Sequence, residues 1–212
     1  MTTVLIDYDS GNLHSAQKAF ELMARETNAG PVIVTSDPDI VARANRIVLP
    51  GDGAFPHCRG ALFDRKALAE AIVASVETRG VPFFGICVGM QMLATTGYEY
   101  EPTAGFGWIR GEIEKITTSD PHQKIPHMGW NDLVIDRPHP VLDGIATGDH
   151  AYFVHSYAMT VQNADHRLAH VDYGGQVTAV VGRDNIVGAQ FHPEKSQSAG
   201  LRMIANFLRW QP

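Results

Sequence analysis

Two short stretches hold residues able to do nucleophilic chemistry: Gly85-Ile86-Cys87-Val88-Gly89 and His192-Pro193-Glu194. The first closes an apolar run, Phe83-Phe84-Gly85-Ile86, and opens a helix-forming stretch through Met90, Gln91, Met92 and Leu93. A nucleophile elbow has this form: a strand, a sharp turn and a helix, with glycine on either side of the nucleophile. The turn strains the backbone and brings neighbouring chains too close for a Cβ, so glycine is needed there. A thiol so placed stands at a helix N-terminus, where unpaired N–H groups and the dipole favour a thiolate and can hold an oxyanion. The same pentapeptide also suits a buried structural cysteine, a common state of free thiols.

A cysteine nucleophile needs a base, and the base needs an orienting group. Among the ten histidines, His57, His122, His139, His150, His166 and His170 lie in polar or turn-like surroundings and read as exposed. His192 follows a strand-like run, residues 186–190, which brings it near a strand's carboxyl end. Pro193 stiffens the turn, and Glu194 is spaced to accept an imidazole N–H, fixing the tautomer and stabilising the imidazolium. An ordinary strand-to-helix turn, with Glu194 in the first helical turn, has the same sequence. Cys58, in the turn-like Pro56-His57-Cys58-Arg59, lacks elbow geometry.

The elements that must position these groups alternate. Apolar runs at 4–6, 32–34, 47–49 and 83–86 read as strands. Between them come a turn-rich loop at 7–12, a helix over 13–23, a short helical piece begun by Pro38, and a helix over 62–77. The third strand stops at Pro50-Gly51-Asp52-Gly53. Alternation of this kind predicts an α/β fold, a parallel sheet flanked by helices, with ligands beyond the strand C-termini. After Thr95 the chain reads as short strands at 108–118, 133–135, 151–154, 168–173, 176–181 and 186–190. A last helix over 196–210 sets Leu201, Ile204, Phe207 and Leu208 on one face. No linker, repeat or boundary interrupts residues 1–212, which read as one domain.

Composition narrows the class. The 212 residues are 44% hydrophobic and 19% charged, ordinary values for a globular chain. Net charge −6 has the wrong sign for a general nucleic-acid or anionic-membrane binder. Two cysteines make a poor disulfide framework, the N-terminal residues lack a basic leader pattern, and no apolar run reaches the ~18 residues of a membrane span. A cytoplasmic protein with reduced thiols is the expectation.

The elbow and His-Pro-Glu, in this order, resemble the triad (class I) glutamine amidotransferases over essentially the whole chain. The resemblance implies a mixed, mostly parallel, flavodoxin-like sheet flanked by helices. It implies Cys87 as nucleophile, His192 as base and then acid, and Glu194 as orienter. The 50–53 loop matches the family's oxyanion loop, with the N–H groups of Gly53 and Val88 as donors. Gln91, Ser156 and Tyr157, with Gly53, match positions that hold the substrate, L-glutamine. Lys124-Ile125-Pro126-His127-Met128-Gly129-Trp130-Asn131, Tyr152-Phe153-Val154-His155-Ser156-Tyr157 and Asn12 resemble the glutaminase subunits of imidazole glycerol phosphate synthases. Those subunits dock on a separate (β/α)₈ cyclase, which receives the ammonia and releases imidazole glycerol phosphate and AICAR in histidine biosynthesis. No segment here is long enough to be the barrel, so that partner is expected in trans, meeting Asn12, Trp130 and Lys195. Two residues depart from the pattern. Asp52 stands where an apolar residue is usual and is expected to face away from the oxyanion; Asp9 stands where glycine is frequent.

Other readings remain open at this point. They are the glutaminase of an anthranilate or aminodeoxychorismate synthase, and a non-catalytic regulatory protein on the same fold. Gly105-Phe106-Gly107 and Gly111 have the wrong spacing for a dinucleotide fingerprint. No His/Cys clustering at metal-ligand spacing occurs, so no metal or other cofactor is expected.

Overall fold

The apolar runs become strands because they can be buried on both faces; β1 (Thr3–Ile6), for example, is buried throughout. The computed structural model describes residues 1–118, 120 and 122–212. After β1 come β2 (Val32–Thr35), β3 (Arg46–Gly51), β4 (Phe83–Cys87), β5 (Thr96–Gly97), β6 (Thr103–Ala104) and β7 (Gly111–Lys115). They are followed by β8 (His127–Asp132), β9 (Val134–Ile135), β10 (His150–His155), β11 (Tyr157–Val161), β12 (Arg167–Asp172), β13 (Gln176–Arg183) and β14 (Ile186–Ala189). The α-helices are α1 (Leu13–Thr27), α2 (Pro38–Val41), α3 (Phe55–Phe63), α4 (Lys66–Val73), α5 (Val88–Gln91) and α6 (Gln197–Arg209).

An eight-stranded sheet, in the order β2-β1-β3-β4-β14-β13-β12-β9, forms the centre. It is parallel from β2 to β14 and antiparallel from there to β9, the mixed α/β sheet expected. A four-stranded sheet, β11-β7-β5-β6, and a two-stranded pair, β10-β8, lie outside it. Successive side chains of a strand point to opposite faces, and Phe83 and Phe84 show both layers. Phe84 packs on Phe20 of α1 and Phe207 of α6, whereas Phe83 packs on Phe106 and Trp108. Phe20 and Phe207 also meet edge to face, so α1 and α6 share one side of the sheet.

Several boundaries differ from expectation. α1 runs on to Thr27, stopped by Asn28 at φ 52. β3 continues through Pro50 to Gly51, because both pair with β4. The helix expected over 62–77 is three pieces: α3 begins at Phe55, the chain breaks at Arg65, and α4 passes into a π-turn, Ala74–Thr78. Pro56 is compatible with a helix start, since its missing N–H has no intrahelical partner there anyway. Cys58 is therefore not in a turn. It is a fully buried residue of α3, on the stripe with Phe55 and Leu62. The strand expected over 108–118 shrinks to Gly111–Lys115, and 127–132 is a strand rather than a connection.

Candidate active site

Cys87 ends β4 at φ 55, ψ −113, a conformation that costs an L-residue on the order of 1–3 kcal/mol. The glycines on either side explain how the elbow closes. A Cβ on Gly85 would lie 2.4 Å from the Gly89 carbonyl oxygen, and one on Gly89 would lie 1.8 Å from the Leu49 oxygen. The helix that follows, α5, is a single turn of four residues, shorter than the sequence suggests. Its dipole is correspondingly small, but Val88 is its first residue, whose N–H has no acceptor within the helix.

β14 runs parallel to β4 as its immediate neighbour, Ala189 opposite Ile86, so the chain leaving β14 comes out beside Cys87. His192 is fixed by its backbone: its N–H donates to the Tyr152 carbonyl (3.1 Å), and its carbonyl accepts from Ser196 Oγ (2.7 Å). Its Nδ1 donates to Glu194 Oε1 at 2.9 Å, with both side chains buried. Burial opposes the imidazolium, but the Cys87 and Glu194 hydrogen-bonding and charge effects outweigh it and raise the pKa to about 10. Nε2 of His192 has no partner of hydrogen-bond geometry, although Cys87 is near enough to shift its titration. Catalytic hydrogen bonds of this kind are commonly long until substrate tightens them. Gln190, two residues earlier on the same face of the chain, extends Nε2 toward Cys87 Sγ at 3.8 Å.

Cys87, Gly53, Val88, Gln91, Ser156 and Tyr157 line one cavity of about 220 Å³. That is below the ~300–1,000 Å³ of drug-sized pockets and suits one amino acid rather than a dinucleotide. Asp52 is exposed and forms part of this wall. Both N–H groups of Gln91 are engaged, with the Tyr157 carbonyl (3.0 Å) and Gln190 Oε1 (3.1 Å), leaving its own carbonyl to offer. Glu99, Pro126, Val154 and His155 also line the cavity, and sequence reasoning missed them as site residues. Glu99 holds the N-terminus of α3 through the Phe55 N–H at 2.7 Å, a long-range contact with no local signal. Gln190 did carry one, its period-two relation to His192.

The 50–53 loop is gripped from beneath by the first loop. Tyr8 Oη donates to the Pro50 carbonyl (2.7 Å), and Ser10 Oγ donates to the Asp52 carbonyl (2.9 Å). Cys58 Sγ lies 3.0 Å from Ser10 Oγ and 3.4 Å from the Asp52 carbonyl oxygen, and burial pushes its thiol pKa up. Neither cysteine is in a disulfide. Among the other histidines, His57, His122 and His150 are exposed or nearly so, and His139 and His166 are half-buried. His170 is buried, contrary to expectation, because Nδ1 donates to Asp136 (2.8 Å), which Arg167 also holds. Among the described residues, no group of three His, Cys, Asp or Glu side chains is arranged to hold a metal ion. No described helix is long and apolar enough to cross a membrane.

The family described as Glutamine amidotransferase class-I matches residues 4–210. The chain belongs to this family. The amidotransferase is 66% identical over 212 residues, the whole of both chains, to imidazole glycerol phosphate synthase subunit HisH of Cereibacter sphaeroides. It has the same identity and coverage with the protein so named from Ruegeria pomeroyi. Among solved structures it resembles one described as a glutamine amidotransferase, with TM-score 0.73 at 15% identity, covering 98% of this chain and 99% of the other. A glutamine amidotransferase from Thermotoga maritima gives 0.62 at 14%, covering 92% and 76%. At those identities the likeness concerns the fold. On the amidotransferase surface, Trp130 is 49% exposed and meets Tyr152 edge to face. Lys195 is exposed at the end of a one-turn 3₁₀ segment, Pro193–Lys195, just before α6. Asn12 caps α1, its side chain accepting from the Ser15 N–H at 3.3 Å.

Proposed function

We propose that this chain, as one domain of residues 1–212, is the glutaminase subunit of an imidazole glycerol phosphate synthase. The observation that carries the reading is a thiol held at φ 55 on the end of β4, beside a buried His192–Glu194 pair delivered by the neighbouring strand. Full-length identity of 66% with two proteins named as that subunit chooses among the family's activities.

The reaction turns glutamine and water into glutamate and ammonia. Cys87, as thiolate paired with imidazolium His192, attacks the side-chain carboxamide carbon. The oxyanion that forms is taken up by the N–H groups of Gly53 and Val88, where removing one donor costs ~10²–10³ in rate. As the C–N bond breaks, His192 gives its proton to the departing nitrogen, and ammonia leaves a glutamyl thioester. His192 then takes a proton from water, the hydroxyl attacks, and glutamate departs as the thiolate re-forms. Glu194 keeps Nδ1 protonated throughout. Gln91, Ser156 and Tyr157 hold the amino-acid end. Glu99, a carboxylate on the same wall, suits the substrate's α-ammonium.

The partner is a cyclase with a (β/α)₈ barrel that uses the ammonia to form imidazole glycerol phosphate and AICAR. Asn12, Trp130 and Lys195 face it, and a reducing cytoplasm suits the two free thiols. The test is co-purification with a histidine-pathway cyclase from the same source, followed by product assay. Glutamine-dependent formation of imidazole glycerol phosphate is expected; synthesis from ammonia alone would reject the reading.

A further inference from the structure

Two buried histidines outside the hydrolytic steps bond to one another, and one of them, His155, lines the pocket. His127 on β8 and His155 at the end of β10 are directly opposite in the antiparallel pair, and are 2% and 6% exposed. His155 Nδ1 lies 2.9 Å from the Tyr157 carbonyl oxygen. A carbonyl only accepts, so His155 carries a proton on Nδ1. Burial favours the neutral ring in both histidines and lowers each pKa to about 4. Neutral His155 then has a bare Nε2, which accepts from His127 Nδ1 at 3.0 Å. That leaves His127 Nε2 bare in turn, to accept from Asn131 Nδ2 at 3.3 Å.

The far end of this chain is fixed. Asn131 Nδ2 also donates to the Asp172 carbonyl (3.2 Å), and Oδ1 accepts from the Asp132 N–H (2.8 Å), so the amide cannot turn over freely. The His127 ring stacks on Tyr173 and Phe153, with centroids 4.0 and 4.8 Å away. The near end reaches the pocket. The Tyr157 carbonyl takes a bond from His155 and another from Gln91, which is itself tied to Gln190. His155, Tyr157 and Gln91 line the same cavity. A hydrogen-bonded series with one permitted tautomer at each ring is a rigid support.

We propose that His155, locked in its Nδ1–H tautomer by His127, is a positioning residue that sets the wall formed by Tyr157 and Gln91 and thereby the affinity for L-glutamine. This rests on the pocket's assignment to glutamine. Both histidines act through other residues, so their loss raises KM rather than lowering kcat. Two core histidines that only satisfy one another would move neither.

The test uses the complex with its cyclase. His155→Phe keeps the ring and removes the N–H; we expect KM for glutamine to rise at least tenfold with kcat within about threefold. His155→Asn places an amide N–H where Nδ1 stands and restores most of the affinity. His155→Gln places it at the Nε2 position and does not, a contrast that remains readable if the Phe variant fails to fold. ¹⁵N spectra of the parent chain should show His155 protonated at Nδ1 and bare at Nε2. The opposite tautomer overturns the proposal, as does an unchanged KM in the Gln variant or a loss confined to kcat. A parent complex that does not hydrolyse glutamine overturns the assigned function, and the positioning role with it. An active parent with unaffected variants overturns only the positioning role.

Discussion

Replacing Cys87 by alanine removes the thiol but leaves a Cβ at φ 55, so it separates chemistry from backbone strain. Glutamine hydrolysis should vanish while synthesis from added ammonia persists in the complex; joint loss of both would reject the division of labour. Glycine is at ease at positive φ. Cys87→Gly should therefore be equally inactive yet melt above Cys87→Ala by roughly 2–4 °C, the equivalent of about 1 kcal/mol at this size. Glu194 is tested by pH. Its hydrogen bond and charge help raise the His192 pKa to about 10, so the imidazolium needed to protonate the departing nitrogen is lost on the alkaline side. Glu194→Gln removes that support, and the alkaline limb of the rate profile should move acidward by roughly one unit or more. Glutaminase activity should fall by about 10²; an unmoved limb would mean that Glu194 does not orient the base. Cys87, His192 and Glu194 were legible in the sequence because their backbone demands are local. Glu99 and His155 were not, since each acquires meaning only from contacts made across the fold.

The elbow is an element-scale device, and Gly89 is where it is least forgiving. A methyl group there would lie 1.8 Å from the Leu49 oxygen, which belongs to β3 and cannot withdraw without breaking its pairing with β4. Gly89→Ala should cost at least about 3 kcal/mol and lower the melting temperature by roughly 10 °C. A melt within a degree of the parent would show that the turn has more room than the geometry allows. The strands around this elbow were readable from their apolar runs. The helices were read less well, because Pro56 and the Arg65 break are settled by packing rather than periodicity. Arg65 bonds the Ala61 carbonyl at 2.6 Å and the Tyr8 carbonyl at 3.3 Å, tying the break to the first loop. Phe55, Cys58 and Leu62 did carry a helical spacing that the neighbouring proline obscured.

At the scale of the molecule, the proposed docking on a cyclase assigns the half-exposed Trp130 to the covered surface. Trp130→Ala should weaken assembly with the cyclase by at least about 2 kcal/mol, ~30-fold in Kd, and leave the melt of the free chain unchanged. Equal affinity in the variant would place the interface elsewhere. The strands that carry Trp130 and Tyr157, His127–Asp132 and Tyr157–Val161, were not legible beforehand, because their pairing depends on partners far along the chain. The insertion of β14 between β4 and β13 has a consequence in time. Gln190 and Cys87 touch although 103 positions separate them, so the loop between them must close before the site exists. Contacts of such long sequence separation form slowly. During refolding the elbow can assemble from β3 and β4 while its cysteine still lacks a base. A pulse of thiol reagent delivered early should label that unprotected sulfur, and recovered glutaminase activity should lag the return of helical signal.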